Sequence, residues 1–180
     1  YNLINEFTEP ACAILKHTNP CGVAEGTDVK DAYMKAFATD TVSPFGGIVI
    51  VNRKLSLAAA EEMDKIFTEI VIAPEYDEDT LAFLFKKKNR RVIKYTHPQF
   101  ANAMELKSVT GGLLVQDVND MLVNEKEMKT VTERTPTDDE MKDLLFAMKV
   151  CKHTKSNAVI YAKGGRTLGI GGGQPSRVDS

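Results

Sequence analysis

Gly46-Gly47-Ile48-Val49-Ile50-Val51-Asn52 is the stretch that indicates the fold. An unbroken run of β-branched residues is typical of a strand that lies in the centre of a sheet and is buried on both faces. A second run, residues 69–73, ends before Pro74, and an apolar run of the same length covers residues 11–15. Helical patterns separate these runs, so the alternation predicts an α/β fold with helices layered on a sheet.

The other predicted elements continue this alternation. Helices are predicted over residues 28–39, 56–67, 77–86 and 137–152, the last behind a capping box at Thr137-Asp-Asp-Glu140. Strands are predicted over residues 91–95, 157–162 and 166–170, with two short ones around Gly111-Gly112 and a polar connection over 118–134. The last helix is predicted to bury one stripe, made of Met141, Leu144, Leu145, Met148 and Cys151.

Composition narrows the class of protein. The chain has 180 residues, 43% of them apolar, which suits a single domain, and its net charge of -2 gives no reason to expect a nucleic-acid or membrane-surface protein. Its apolar runs are shorter than a membrane span. Three cysteines favour a reducing compartment, hence the cytoplasm. We interpret the basic run over residues 86–91 as a solvated helix end rather than a polyanion site.

Lys16 and His17 follow the first predicted strand, and a predicted turn, Asn19-Pro-Cys-Gly22, comes next. An imidazole takes up a proton near neutral pH, and an ammonium group stabilises developing negative charge. At the end of a strand, such a pair is placed to act on a ligand in the loop region of an α/β sheet. The alternative interpretation is an ordinary surface dipeptide.

Two glycine-rich segments are further candidates for ligand contacts. Residues 169–173 match neither the dinucleotide fingerprint nor the Walker pattern, so a structural turn and a ligand loop both remain open. Ser176 and Arg177 follow, and a guanidinium group suits a carboxylate or a phosphate. Residues 43–47 predict a turn before the central strand, with Phe45 as a stacking surface or a hydrophobic plug. In that turn, the N–H groups of both glycines are candidates to meet an anion.

Metal chemistry is not predicted. His17, His97 and His153 lack the partners of known zinc motifs. The Pro20-Cys21 pair is similar to half of a zinc-deaminase signature, but alanine occupies the position of the second cysteine. A nucleophilic Cys21 beside His17 is a weaker alternative.

Several ordered segments together resemble the AICAR transformylase domain of the bifunctional purine-biosynthesis family, which also has IMP cyclohydrolase activity. The segments that carry the resemblance cover residues 16–22, 43–47, 70–74, 107–115, 155–162 and 169–177. The chain departs from the family pattern at Glu69, where some members have aspartate, and at Gly172 and Pro175. Tyr1 and the last residues suggest a piece of that domain, cut at both ends.

The resemblance implies formyl transfer from 10-formyltetrahydrofolate to the amine of AICAR, with His17 as general base and Lys16 as oxyanion stabiliser. It places Gly46, Glu69 and Asn157 around AICAR, and Arg177 and Val178 against the folate. Ser43, Phe45 and Ser176 are further candidates. It also implies a layered fold like that of cytidine deaminase, without zinc, and a homodimer. We expect the 180 residues alone to be inactive or nearly so. The alternative function is a non-catalytic module that binds nucleotides or anions.

Overall fold

The computed structural model describes residues 1–96, 104–121, 123 and 125–180. Its strands are β1 (Ala11–Lys16), β2 (Asn19–Glu25), β3 (Gly47–Val51), β4 (Thr68–Ala73), β5 (Arg91–Lys94), β6 (Met104–Val109), β7 (Gly112–Asp117), β8 (Ala158–Ala162) and β9 (Thr167–Gly172). Its helices are α1 (Val29–Phe37), α2 (Leu57–Met63), α3 (Glu78–Leu84) and α4 (Asp138–Lys152), with short 3₁₀ turns at Ile4–Glu6, Glu125–Glu127 and Arg177–Asp179.

Five strands form the main sheet in the order β2-β1-β3-β4-β5. The strand predicted from residues 46–52 is therefore central, as its composition indicates. β1 runs antiparallel to both of its neighbours, whereas β3, β4 and β5 are parallel to one another. Four of the five strands thus point the same way, and β1 alone points the other way.

Side-chain alternation along β1 divides the core between the two faces of the sheet. Cys12 and Ile14 belong to one cluster, which α1, α2 and α3 cover. Ala11 and Ala13 belong to the other cluster, which includes Phe146 of α4 and the N-terminal segment. Because helices cover both faces, the predicted layered α/β architecture is confirmed at this level.

The caps of the helices follow the predicted sequence signals. Ser56 accepts a hydrogen bond from the backbone of Ala59 at 3.3 Å and so begins α2. At α4, the N–H of Thr137 donates to the Glu140 carboxylate at 2.8 Å, and the Glu140 N–H donates back to the Thr137 hydroxyl at 3.3 Å. The capping box is confirmed. α2 ends earlier than predicted, at Met63, whose carbonyl accepts a hydrogen bond from the Thr68 hydroxyl.

The buried face of α4 differs from the predicted stripe. Phe146 and Val150 are buried, whereas Leu144 and Met148 are 47% and 43% exposed. The N-terminal segment determines this rotation, because the ring of Phe7 packs on Phe146 with centroids 5.3 Å apart. The prediction was wrong because two apolar stripes run along this helix, and spacing alone does not choose between them.

The predicted turn at Asn19-Pro-Cys-Gly22 is instead the beginning of β2. The chain reverses two residues earlier, at His17 and Thr18, with φ angles of 51° and 71°. Two central residues with positive φ define a type I′ hairpin, whose twist matches that of the flanking strands. A β-branched residue such as Thr18 adopts this conformation at a cost, so the sequence gives little sign of it.

The basic run is only partly solvated. Arg90 is buried, and its guanidinium donates to the Asp64 carboxylate at 2.6 Å and to the Thr68 carbonyl at 3.1 Å. Lys87 also contacts Asp64, at 2.9 Å. Burial acts to raise the pKa of Asp64, but the hydrogen bonds from Lys87 and Arg90 outweigh it, so that the pKa is lowered. Residue 90 is therefore a structural anchor, contrary to the prediction for the run as a whole.

The remaining segments mostly follow their predictions. β6 and β7 pair as a hairpin around Gly111-Gly112, and residues 118–121 and 128–134 contain no regular element. His97 lies outside the described residues. Within the described part of the chain, no helix has the length and apolar character needed to cross a membrane.

Candidate active site

Most of the predicted site residues lie along one edge of the main sheet, the edge formed by the carboxyl end of β1 and the amino ends of β3 and β4. Because β1 is antiparallel to β3, the carboxyl end of β1 meets the amino end of β3, where Leu15 pairs with Ile48. Gly47 in turn pairs with Thr68 at the amino end of β4. Lys16, Gly46 and Glu69 consequently share this edge. The usual ligand position in α/β sheets is at the carboxyl ends of the parallel strands, so this site lies at the opposite edge.

Lys16 joins the β1–β2 hairpin to the turn before β3. Its Nζ donates a hydrogen bond to the carbonyl of Phe45 at 2.7 Å, which fixes the ammonium beside the 43–47 turn. His17 is exposed at the tip of the hairpin, and no other described side chain hydrogen-bonds its ring. The arrangement holds a cation at the edge and leaves an imidazole next to it free to meet a ligand.

The 43–47 turn is present as predicted, but its glycine amides face inwards. The N–H of Gly46 donates to the Phe67 carbonyl at 2.7 Å, and that of Gly47 donates to the Pro44 carbonyl at 2.8 Å. Neither amide is available to an anion, so this part of the prediction was wrong. Gly46 has a φ of 71°, a conformation that favours glycine.

Ser43 and Phe45 complete this turn. The backbone N–H of Ser43 donates to the Asp40 carboxylate at 2.9 Å, which fixes the start of the turn. Phe45 is 62% exposed and lies against Phe67, with ring centroids 5.6 Å apart. An exposed ring is not a hydrophobic plug, so that interpretation was wrong. A role in stacking stays a prediction.

Glu69 is the second residue of β4, the next strand along the edge. Its Oε1 accepts from Nη1 of Arg91, the first residue of β5, at 2.5 Å. Both side chains face solvent. Arg91 was predicted only as a member of the basic run and as the first residue of a strand, without a role in the site.

Asn157 connects β8 to the end of the chain. Its side-chain amide donates to the carbonyls of Gln174 and Pro175 at 3.1 and 3.2 Å. Its own carbonyl accepts from the hydroxyl of Ser180 at 3.2 Å. The position predicted to contact AICAR thus also holds the segment that carries Arg177.

The glycines over 169–173 are mainly structural. β9 continues to Gly172, and a Cβ on Gly171 would lie 2.1 Å from the backbone of Ser180. A Cβ on Gly172 would lie 2.5 Å from the side chain of Thr154. Close packing therefore requires these two glycines. Only Gly173 within this segment has a positive φ, at 72°.

Arg177 and Val178 follow in a short 3₁₀ turn that begins at Ser176. The Ser176 hydroxyl accepts from the N–H of Val178 at 3.1 Å, as a cap does. Arg177 and Val178 are both exposed, and none of the described carboxylates pairs with Arg177. The guanidinium is therefore available to an anionic ligand.

Asn19 links the two parts of the site and was missed as a functional residue. It pairs with Lys16 across the hairpin, and its side-chain oxygen accepts from the N–H of Lys155 at 3.0 Å. The carbonyl of Lys155 then accepts from Gly173 at 2.6 Å. A continuous set of contacts thus runs from Lys16 to the Asn157 segment. No hydrogen bond among the described residues joins His17 directly to Asn157 or Arg177.

Cys21 does not suit a nucleophilic role. Burial and the nearby Asp40 carboxylate raise the pKa of its thiol to about 11. The thiolate, which is the reactive form, is therefore scarce near neutral pH. In the described residues, no group of three or more His, Cys, Asp or Glu side chains has an arrangement that could hold a metal ion.

Comparison with known proteins identifies the family. The profile described as "AICARFT/IMPCHase bienzyme" matches residues 1–180. The chain belongs to this family. It is similar to proteins named "Bifunctional purine biosynthesis protein PurH" from several bacteria. The membership agrees with the resemblance carried by the Lys16 and Asn157 segments.

Three relatives show how far the similarity extends. Identity is 50% to the protein of Chlorobium phaeobacteroides, over 99% of this chain and 34% of the relative. Identity is 55% to the protein of Clostridium beijerinckii, over 97% of this chain and 34% of the relative. Identity is 54% to the protein of Parvibaculum lavamentivorans, over 100% of this chain and 34% of the relative. The chain thus spans about a third of the length of these relatives.

Proposed function

We propose that this chain forms part of an AICAR transformylase site within a longer bifunctional protein of purine biosynthesis. In the reaction, the amine of AICAR attacks the formyl carbon of 10-formyltetrahydrofolate. A bond forms between that carbon and the amine nitrogen, and the bond from the carbon to N10 of the folate breaks. The amine loses one proton, N10 gains one, and the products are FAICAR and tetrahydrofolate.

Two adjacent residues supply the chemistry in this proposal. His17 accepts the proton from the amine, which is a weak nucleophile because its lone pair is delocalised into the imidazole ring. Lys16 stabilises the negative charge that develops on the formyl oxygen. The hydrogen bond from Lys16 to the Phe45 carbonyl supports this role, since it holds the ammonium in place before the substrate arrives. A preorganised charge needs no reorientation when the transition state forms.

The observation that carries the proposal is the set of contacts along one edge of the sheet. Hydrogen bonds connect Lys16 to the 43–47 turn, and others connect Asn19 to Lys155 and Asn157 to the 174–180 segment. We propose that AICAR contacts Gly46, Glu69 and Asn157, with Ser43 and Phe45 nearby. The folate then contacts Arg177 and Val178 beside Ser176.

The alternative, a non-catalytic module that binds anions through its glycine turns, gains no support from the turn geometry. The amides of Gly46 and Gly47 are satisfied by backbone carbonyls. Gly171 and Gly172 are required by packing. We therefore expect contacts to an anionic group from side chains rather than from these glycine amides.

Replacing Lys16 tests the proposal. We expect Lys16→Met in the full-length protein to lower kcat for formyl transfer by about 10²-fold, because it removes one stabilising charge from the developing oxyanion. AICAR binding, measured by calorimetry, should weaken much less. Steady-state assay of tetrahydrofolate release gives kcat.

Lys54→Met is the matched control. Lys54 follows β3 at the opposite edge of the sheet and pairs with Asp77 and Glu75. We expect this variant to keep kcat within about twofold of the parent. Equal loss of kcat in the two variants would count against a specific role for Lys16.

The chain of 180 residues, assayed alone, should transfer formyl groups at least about 10²-fold more slowly than the full-length protein. A site assembled from several segments loses rate steeply when some are missing, because the reactants are no longer held in register. The share of the relatives that the chain covers, 34%, motivates this expectation. Comparable turnover by the two proteins in the same assay would refute it.

Other parts of the proposal concern the setting of the chain. We propose that residues 1–180 form the N-terminal to central part of one transformylase domain. We further propose that its fold is a cytidine deaminase-like unit without zinc. The full-length protein is proposed to be a cytoplasmic homodimer. The mixed five-stranded sheet with helices on both faces supports the fold assignment. No metal, nucleic acid or membrane is required by the proposed chemistry.

A further inference from the structure

The ion pair between Glu69 and Arg91 lies at the end of the candidate site. Nη1 of Arg91 contacts only one carboxylate oxygen of Glu69, Oε1, at 2.5 Å. The two residues come from neighbouring parallel strands, in which Ile70 pairs with Arg91. The sheet therefore fixes both backbones. The ion pair mainly determines the orientation of the Glu69 side chain.

A cavity of about 490 Å³ opens beside this pair, and its lining consists of Phe67, Glu69, Lys88, Asn89, Arg90 and Arg91. Phe67 connects the cavity to the rest of the site, because its carbonyl accepts the hydrogen bond from Gly46 and its ring packs on Phe45. The Glu69 carboxylate thus lies between the 43–47 turn and a group of cationic side chains.

The pair contributes little to folding stability by itself. The side chains of Arg91 and Glu69 are 62% and 43% exposed, and exposed ion pairs are largely screened by water. Its removal should therefore leave the fold intact. Any effect on substrate affinity can then be separated from an effect on stability.

We propose that Arg91 is a positioning residue for Glu69 in AICAR binding, an inference that rests on the proposed function. A glutamate has one more rotatable bond than an aspartate, so its carboxylate needs a partner to hold it in a single orientation. Arg91 holds Oε1 and leaves Oε2 to accept a hydrogen bond from the nucleotide. Arg91 acts through Glu69 and does not contact the substrate itself.

Steady-state kinetics of full-length variants test this role. Arg91→Ala should raise the KM for AICAR about tenfold, since a charge-assisted hydrogen bond loses its fixed acceptor. It should leave kcat and the KM for 10-formyltetrahydrofolate within about twofold. Arg91→Lys should recover part of the affinity, and Lys88→Ala, which removes a cation from the same cavity, should change neither KM.

The double variant distinguishes positioning from direct contact. Glu69→Ala with Arg91→Ala should have the same KM for AICAR as Glu69→Ala alone, because Arg91 has no effect once position 69 carries no acceptor. Additive increases in KM would overturn the inference, as would an unchanged KM in Arg91→Ala. Absence of formyl transfer to AICAR in the unmodified full-length protein would instead refute the proposed function, which keeps the two failures distinct.

Discussion

His17→Ala in the full-length protein is expected to reduce kcat for formyl transfer by about 10²- to 10⁴-fold, the range for loss of a general base. The imidazole is exposed at the tip of the β1–β2 hairpin, and no other described side chain forms a hydrogen bond with it. Its removal therefore deletes a proton acceptor without opening a cavity. AICAR affinity should change little, because the proposed contacts at Gly46, Glu69 and Asn157 remain.

His153→Ala is the matched control for this variant. His153 follows α4, and its Nε2 lies 2.8 Å from a Glu6 oxygen that also accepts from Lys152 at 2.7 Å. The Lys152 contact preserves the attachment of the N-terminal segment when the imidazole is removed. Formyl transfer should stay within about threefold of the parent. If His17→Ala retained comparable activity, His17 would not be the base.

Asn52→Leu is expected to lower the free energy of unfolding of the 180-residue chain by about 3–5 kcal/mol, as each of several buried backbone groups loses its partner. Asn52 is only 6% exposed. Its Oδ1 accepts from the Ala11 N–H at 2.8 Å, and its Nδ2 donates to the carbonyls of Phe7 and Glu9 at 2.9 and 2.7 Å. One side chain thus attaches the N-terminal segment to the end of β3.

Urea unfolding followed by circular dichroism measures this effect. Asn2→Leu is the control, because Asn2 is exposed and surface substitutions usually change stability by less than about 0.5 kcal/mol. A midpoint for Asn52→Leu equal to that of the control would show that the three hydrogen bonds do not stabilise the fold. A large shift in Asn52→Leu alone is the expected result.

The features that the sequence predicts well are those determined locally. The β-branched run after Gly47 forms the central strand because no other element suits its composition. The capping box at Thr137 begins α4 because its two hydrogen bonds are made within four residues. Membership of the family follows from several short motifs in one order, and the profile match confirms it.

The features that it does not predict depend on distant partners. The choice of the Phe146 face of α4 requires Phe7, and the burial of Arg90 requires Asp64. The hairpin turn at His17 was missed because neither of its central residues is a usual one for positive φ. Arg91 was missed because a run of positive charge gives no indication of which side chain reaches Glu69 from the neighbouring parallel strand.

The reversed direction of β1 has a consequence for how such a protein can diverge. The connections that leave the carboxyl ends of β3 and β4 lead into α2 and α3 at the edge away from Lys16 and Glu69. Insertions or deletions there lengthen or shorten the surface without altering the spacing of the candidate site. The turns before β3 and β4 have no such freedom. Relatives should therefore differ in the length of the connections after β3 and β4. The turns before these two strands should be uniform in length.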